Sequence, residues 1–159
     1  MQHWLKTIGH AHWSLPDAWL STDDGLERVR STGFPRRPRI LIGERLVYYA
    51  AGWRVVFAIV EATSEPQSVE HPRWPWRVAV EPLLLVPLLS NAPPVEAIGV
   101  AARSMSQQSH IRLDPDHYLR AIEAIASIAA GGVPTEPRPS PSRPSGEAAA
   151  SPGRGRGRG

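Results

Sequence analysis

The 159-residue chain contains no cysteine, which excludes a disulfide frame, a thiolate nucleophile and any zinc site built on sulfur. Its longest apolar run, LLLVPLL from Leu83 to Leu89, is interrupted by Pro87 and falls well short of the roughly 20 residues that cross a bilayer as a helix. The first residues lack a basic region followed by an apolar block and a small-residue cleavage site. The expected location is therefore the cytoplasm, away from membranes. Catalytic signatures are missing as well: there is no glycine-rich phosphate loop, no G-x-S-x-G, and no H-x-x-x-H or H-E-x-x-H. Ser109 beside His110 does not make a nucleophile and base, because neighbours on a strand point to opposite faces. His10 and His12, with His3 upstream, have no third ligand at a fixed spacing, so no metal is expected. The sequence argues for no enzyme and no cofactor.

Net charge is nearly absent from the body of the chain. From Gly132 onward, Arg138, Arg143, Arg154, Arg156 and Arg158 stand against Glu136 and Glu147, and this imbalance equals the whole formal charge of +3. Phosphate attraction must then come from local clusters such as Arg36, Arg37, Arg39 and Arg45, or from the tail. The tail is mostly Pro, Ser, Gly, Ala and Arg without apolar period, which predicts disorder over residues 132–159. Its last residues, GRGRGRG, fit either an RNA-contacting patch through Arg154, Arg156 and Arg158 or a solubilising extension.

What is present is one domain's worth of patterned sequence, residues 1–131, and the 42% of hydrophobic residues suffices for a core. Alternation predicts strands at HWLKTI (His3 to Ile8), ERLVYYA (Glu44 to Ala50), WRVVFAIVEA (Trp53 to Ala62), WRVAVEP (Trp76 to Pro82) and SHIRL (Ser109 to Leu113). The second and third are joined by a tight turn in which Gly52 takes a positive backbone dihedral. SLPDAWLS reads as a short helix opened by Ser14 with Asp17 three residues on, and TDDGLERVRSTG as a further turn or two, with Asp23 and Asp24 at a helix N-terminus. The clearest helix follows Asp114: Pro115 fits its first position, Leu119, Ile122, Ala126 and Ala129 with Ile125 form its apolar stripe, and Gly131 ends it. The set predicts an α+β protein, a partly closed mixed barrel of about five strands with flanking helices.

HPRWPWRVAVEP, His71 to Pro82, carries two of the six tryptophans. Trp76 falls in phase with Val78 and Val80 on an inner face, Trp74 falls on the same face if the strand starts early, and Trp53 begins its strand in phase with Val55. Indoles at strand ends fit two readings: plugs in the core with each N–H bonded to a carbonyl, or an aromatic wall on which a base stacks. The polar run SMSQQSH offers Ser104, Ser106, Gln107, Gln108, Ser109 and His110 as donors and acceptors for a base edge, or else is a surface loop.

The segments HWLKTIGH, GERLVYYAAGWRVVFAIVEATSEP, HPRWPWRVAVEP and SHIRLDPDHYLRAIEAI together resemble the EVE domain group of the PUA-like superfamily, relatives of YTH domains, over Gln2 to about Ala130. The resemblance implies a PUA-like pseudobarrel holding a modified nucleobase, such as a methylated or hydroxymethylated base in DNA or RNA, against aromatic walls at one end. It implies a pocket around the segment Trp4 to Thr7, Trp53, Trp74, Trp76 and the residues Ser104 to His110; the residues themselves add Trp13 as a candidate wall and Arg36, Arg37 and Arg39 as candidate phosphate contacts. A protein partner in a defence or RNA-modification system is a further implication. The alternatives are a small-molecule or protein interaction module, and an accessory domain of an RNA-processing or restriction enzyme.

Overall fold

The computed structural model describes residues 1–9 and 14–129. Trp13, His10, His12, the tail and the expected domain boundary after residue 131 lie outside the described residues.

Apolar and β-branched alternation builds β1 (His3–Ile8), β3 (Arg45–Ala50), β4 (Val55–Ala62), β6 (Trp76–Leu85) and β7 (His110–Leu113), where the sequence predicts strands. Two more strands, β2 (Ser31–Phe34) and the two-residue β5 (Gln67–Ser68), raise the sheet to seven. The stretch expected to be one run of helical turns instead divides into α1 (Asp23–Arg28) and β2. Asp23 and Asp24 do occupy the first turn of α1, where the helix dipole favours acids. The cap is Thr22, whose Oγ1 accepts from the Gly25 N–H at 2.9 Å. Ser14 opens no helix, and only a 3-10 turn, Trp19–Ser21, forms in that segment.

The strand order is β2-β6-β4-β3-β1-β7, with β5 paired to β6. β1 runs parallel to β3 and antiparallel to β7; the other ladders are antiparallel. The β3–β4 hairpin turns at Ala51 to Arg54, with Gly52 at φ +86° as its turn requires. Trp53 therefore sits in the turn and not on β4.

Register decides which side chains share the interior. Lys6 stands opposite Tyr48 on β3 and His110 on β7, Tyr48 stands opposite Ala58, and Thr32 and Phe34 stand opposite Val78 and Trp76. The sheet curls until Phe34 of β2, at one end of the strand order, meets His110 of β7 at the other, ring centres 5.0 Å apart. The result is an α+β, PUA-like pseudobarrel whose last two edges share no ladder.

α2 (Pro115–Ala129) covers β4, β6 and the 3-10 turn Val95–Ile98. Its buried row is Tyr118, Ala121 and Ile125, while Leu119, expected in the stripe, is 58% exposed. Tyr118 sets that rotation: His3 stacks on its ring at 3.9 Å, and Arg45 donates to its hydroxyl at 3.1 Å.

Candidate nucleic-acid interface

The tryptophans among the described residues divide by what their indole N–H groups do. Trp4 is buried and donates to Glu44 Oε1 at 3.0 Å; Glu44 also accepts from the Leu41 and Gln2 backbone N–H groups at 3.0 Å each. Burial works to raise the Glu44 pKa, but these three donors outweigh it and hold the carboxyl below its ordinary value. Trp53 is buried and donates to the Leu15 carbonyl at 2.7 Å. Trp19 donates to Asp24 at 3.3 Å and is equally buried. These three are structural plugs with satisfied polar atoms.

Trp74 and Trp76 reach the surface, on opposite sides of the sheet. Trp76 shares the inner face with Phe34, is half-buried, and carries the Arg37 guanidinium 5.2 Å above its ring. Trp74, 37% exposed, precedes β6 and lies over the outer side of Gly33: a Cβ on that glycine would stand 2.9 Å from the Trp74 Cβ. The two indoles therefore do not make two walls of one cage. His71 backs Trp74 at 5.2 Å and accepts the Arg73 and Trp74 N–H groups at its Nδ1.

The predicted polar run is also spread out. Ser104 lies in the 3-10 turn Ala102–Met105, and it borders an open groove of about 380 Å³ with Arg112, Asp114 and His117, on the flank of β7 and the start of α2. Ser106, Gln107 and Gln108 are exposed, and Gln107 has φ +60°. Thr7 donates its hydroxyl proton to the Gln108 carbonyl at 2.9 Å, which ties the run to β1. His110 opens β7 with Ser109 just before it, one residue later than expected, and Ser109 Oγ and His110 Nδ1 are the only buried side-chain polar atoms without a partner among the described residues.

His110 belongs to a cluster of which the sequence pattern marks only the margins. Its ring lies 5.4 Å from Trp4 and edge-on to Phe34, and the Lys6 ammonium sits 4.9 Å over the Phe34 ring. Lys6 is 5% exposed, and among the described residues its one hydrogen bond runs to the neighbouring Thr7 carbonyl at 2.8 Å. No carboxylate pairs with it there. Burial first, and then the charge of Arg77, push its pKa down to about 7. Burial and the Lys6 charge likewise lower His110, which favours its neutral imidazole. Tyr48 and Thr32, both buried, complete the polar interior, with burial raising the Tyr48 phenol. One signal in the sequence points here. Lys6 is the only lysine in a chain whose other 17 basic side chains are arginine, and it is in phase with Trp4 and Ile8.

Outside the seam between β2 and β7, the loop leaving Phe34 holds Arg36, Arg37 and Arg39, all exposed. The site is thus a side-chain-sealed gap with an aromatic and cationic lining and a basic lip. Arg154, Arg156 and Arg158 lie outside the described residues.

No family model matches the chain, and no curated protein matches it. Solved structures do. Protein Atu2648 from Agrobacterium tumefaciens is similar at 16% identity with a TM-score of 0.54, over 89% of this chain and 100% of that one. The Mmi1 YTH domain, solved in complex with RNA, is similar at 9% identity with a TM-score of 0.55, over 86% and 83% of the two chains. A hypothetical protein from Leishmania major gives 10% identity and a TM-score of 0.53, over 80% and 96%. At such identities the likeness is one of fold: this chain has the same curled pseudobarrel as these proteins, a YTH domain among them.

Proposed function

We propose that the protein is a non-enzymatic, cytoplasmic reader of the EVE type, which takes a modified nucleobase of DNA or RNA into the β2–β7 seam. The observation that carries this reading is the seam itself. Two strand edges are held together by Phe34 and His110 and by no ladder. A half-buried Trp76 under Arg37 lies on the same inner face as Phe34, and arginines stand exposed on the adjoining loop. Moving the side chains that meet there, Phe34, His110 and Lys6, opens such a gap with no ladder between the two edges to break. A base that enters gains stacking on Phe34 or Trp76, worth about 1 to 3 kcal/mol, which offsets the few kcal/mol of unstacking it. A methyl group on the base adds roughly 0.8 kcal/mol where it meets aromatic carbon. The RNA held by the YTH domain of the same fold supports a nucleic-acid partner.

The test is a tryptophan-fluorescence titration of the full chain with single-stranded oligonucleotides that carry one modified base, against unmodified and abasic controls. The reading predicts a base-dependent quench that is lost in Trp76→Ala and kept in Trp74→Ala. Equal response to every oligonucleotide, abasic included, would overturn it and favour an interaction module.

A further inference from the structure

We propose, building on the base-reader reading above, that Lys6 makes the seam selective for keto bases, those with a carbonyl at purine C6 or pyrimidine C4, over amino bases with an NH2 group there. Protonated, as it is below about pH 7, Lys6 is a donor and never an acceptor, with three N–H groups to place. In the barrel interior one of them reaches the Thr7 carbonyl at 2.8 Å, and the face toward Phe34 meets a ring that accepts no conventional hydrogen bond. The remaining N–H capacity has no acceptor among the described residues, and a buried cation left so is costly. The missing partner is an acceptor. His110, opposite Lys6 in register, adds an unpartnered Nδ1 in the same interior.

The chemistry of the bases decides which of them supplies it. A 6-keto purine presents O6 and N7 side by side, two acceptors on one edge, and a 4-keto pyrimidine presents O4. Adenine presents N7 beside an amino group, and cytosine has an amino group at C4. Turned toward Lys6, an amino group leaves donor facing donor in a space closed to water. A phosphate suits the site less well. Phe34, Trp4 and Tyr48 line this interior with aromatic surface, and an anion drawn there would exchange its water for a single cation. Lys6 thus narrows the modified bases the seam accepts toward modified uracil, thymine, guanine or hypoxanthine.

Two oligonucleotides of one sequence test this, differing at a central position between adenine and hypoxanthine, which exchanges the amino group for a carbonyl. Against the full chain at pH 6, where Lys6 is protonated, the hypoxanthine strand is expected to bind roughly 10- to 100-fold tighter, the scale of one buried donor left unpaired. In Lys6→Met the ratio should fall to near one, with the fold verified by circular dichroism. A second readout uses the single lysine: its side-chain resonance, unique in a lysine-labelled sample, should titrate at higher pH with the hypoxanthine strand bound than without. If both strands bind better than an abasic control but equally, or if the ratio survives in Lys6→Met, the keto inference falls while the reader stands. If neither exceeds the abasic control, the reader reading falls and takes the inference with it.

Discussion

Replacing Lys6 by methionine should stabilise the protein at neutral pH and below, by an amount that shrinks as the solution becomes alkaline. The side chain is almost fully enclosed, and its pKa drops from the ordinary 10.5 to about 7. A tenfold change in proton affinity is worth about 1.4 kcal/mol, so enclosure disfavours the charged folded form by about 5 kcal/mol relative to the neutral one. The sign follows from the protons bound. Below pH 7 both folded and unfolded chains hold the proton, and the full penalty applies. From pH 7 to 10.5 the unfolded chain keeps a proton that the folded one has released, so wild-type stability rises with pH. Methionine has nearly the length of the lysine stem, and it carries no charge to bury. Allowing for imperfect packing of the thioether, a gain of about 2 to 4 kcal/mol is expected near pH 6, fading to under about 1 near pH 9.5. Urea unfolding of both proteins followed by tryptophan fluorescence measures it, provided the two m-values agree. His110, lowered by burial and by the Lys6 charge, responds to the substitution at the acid end, so the slope is read above pH 7, where Tyr48, raised by burial, keeps its proton. Parallel stability curves for the two proteins, or a methionine variant less stable at pH 6, would refute the reasoning.

Trp53→Phe removes the N–H that reaches the Leu15 carbonyl, and should cost about 1 to 3 kcal/mol by denaturant melt while leaving oligonucleotide binding unchanged. Glu44→Gln should cost a similar amount near neutral pH, because a carboxylate accepting three donors becomes an amide. Since the Glu44 pKa is lowered, that contribution is present above the ordinary carboxylate range and lost as pH falls through the folded value, so wild type and variant should converge in acid. Changing Arg36, Arg37 and Arg39 together to alanine should flatten the plot of log affinity against log salt by about 2 for single strands, with base preference retained. An unchanged slope would remove the basic lip from the interface.

The strands with clear period-two alternation were legible, because burial on one or both faces dictates residue type over most of their length. β2 was not. Ser31-Thr32-Gly33-Phe34 has one β-branched residue and a glycine, and it follows a short helix closely enough to look like its continuation. Gly33 is there because Trp74 lies against it, a tertiary reason that no local pattern displays. In α2 the apolar residues crowd adjacent positions, so the sequence admits several stripes, and the one adopted depends on His3 and Arg45 meeting Tyr118. The candidate site shows the same limit. Trp4 and His110 could be named from the sequence, and Lys6 falls within the segment Trp4 to Thr7, but nothing local shows that its ammonium is enclosed until curling brings Phe34 of β2 across the barrel. Trp53, in phase with its strand on paper, is withdrawn into the turn, where Arg54 takes φ +59°.

The position of β1 has a consequence for how the chain is made. Its first pairing partner, β3, begins at Arg45, and its second, β7, begins at His110, so its two hydrogen-bonded neighbours leave the ribosome at widely separated moments. The parallel partner arrives first, and loop closure over that distance is slow compared with a hairpin. The β3–β4 hairpin is therefore the natural nucleus, β1 is recruited to it, and the seam is completed only when almost the whole domain has been synthesised. Until then the unoccupied edge of the first strand is a template for another strand. Truncations that stop short of His110 should accumulate as aggregating or chaperone-bound chains, while those ending beyond α2 should be released folded.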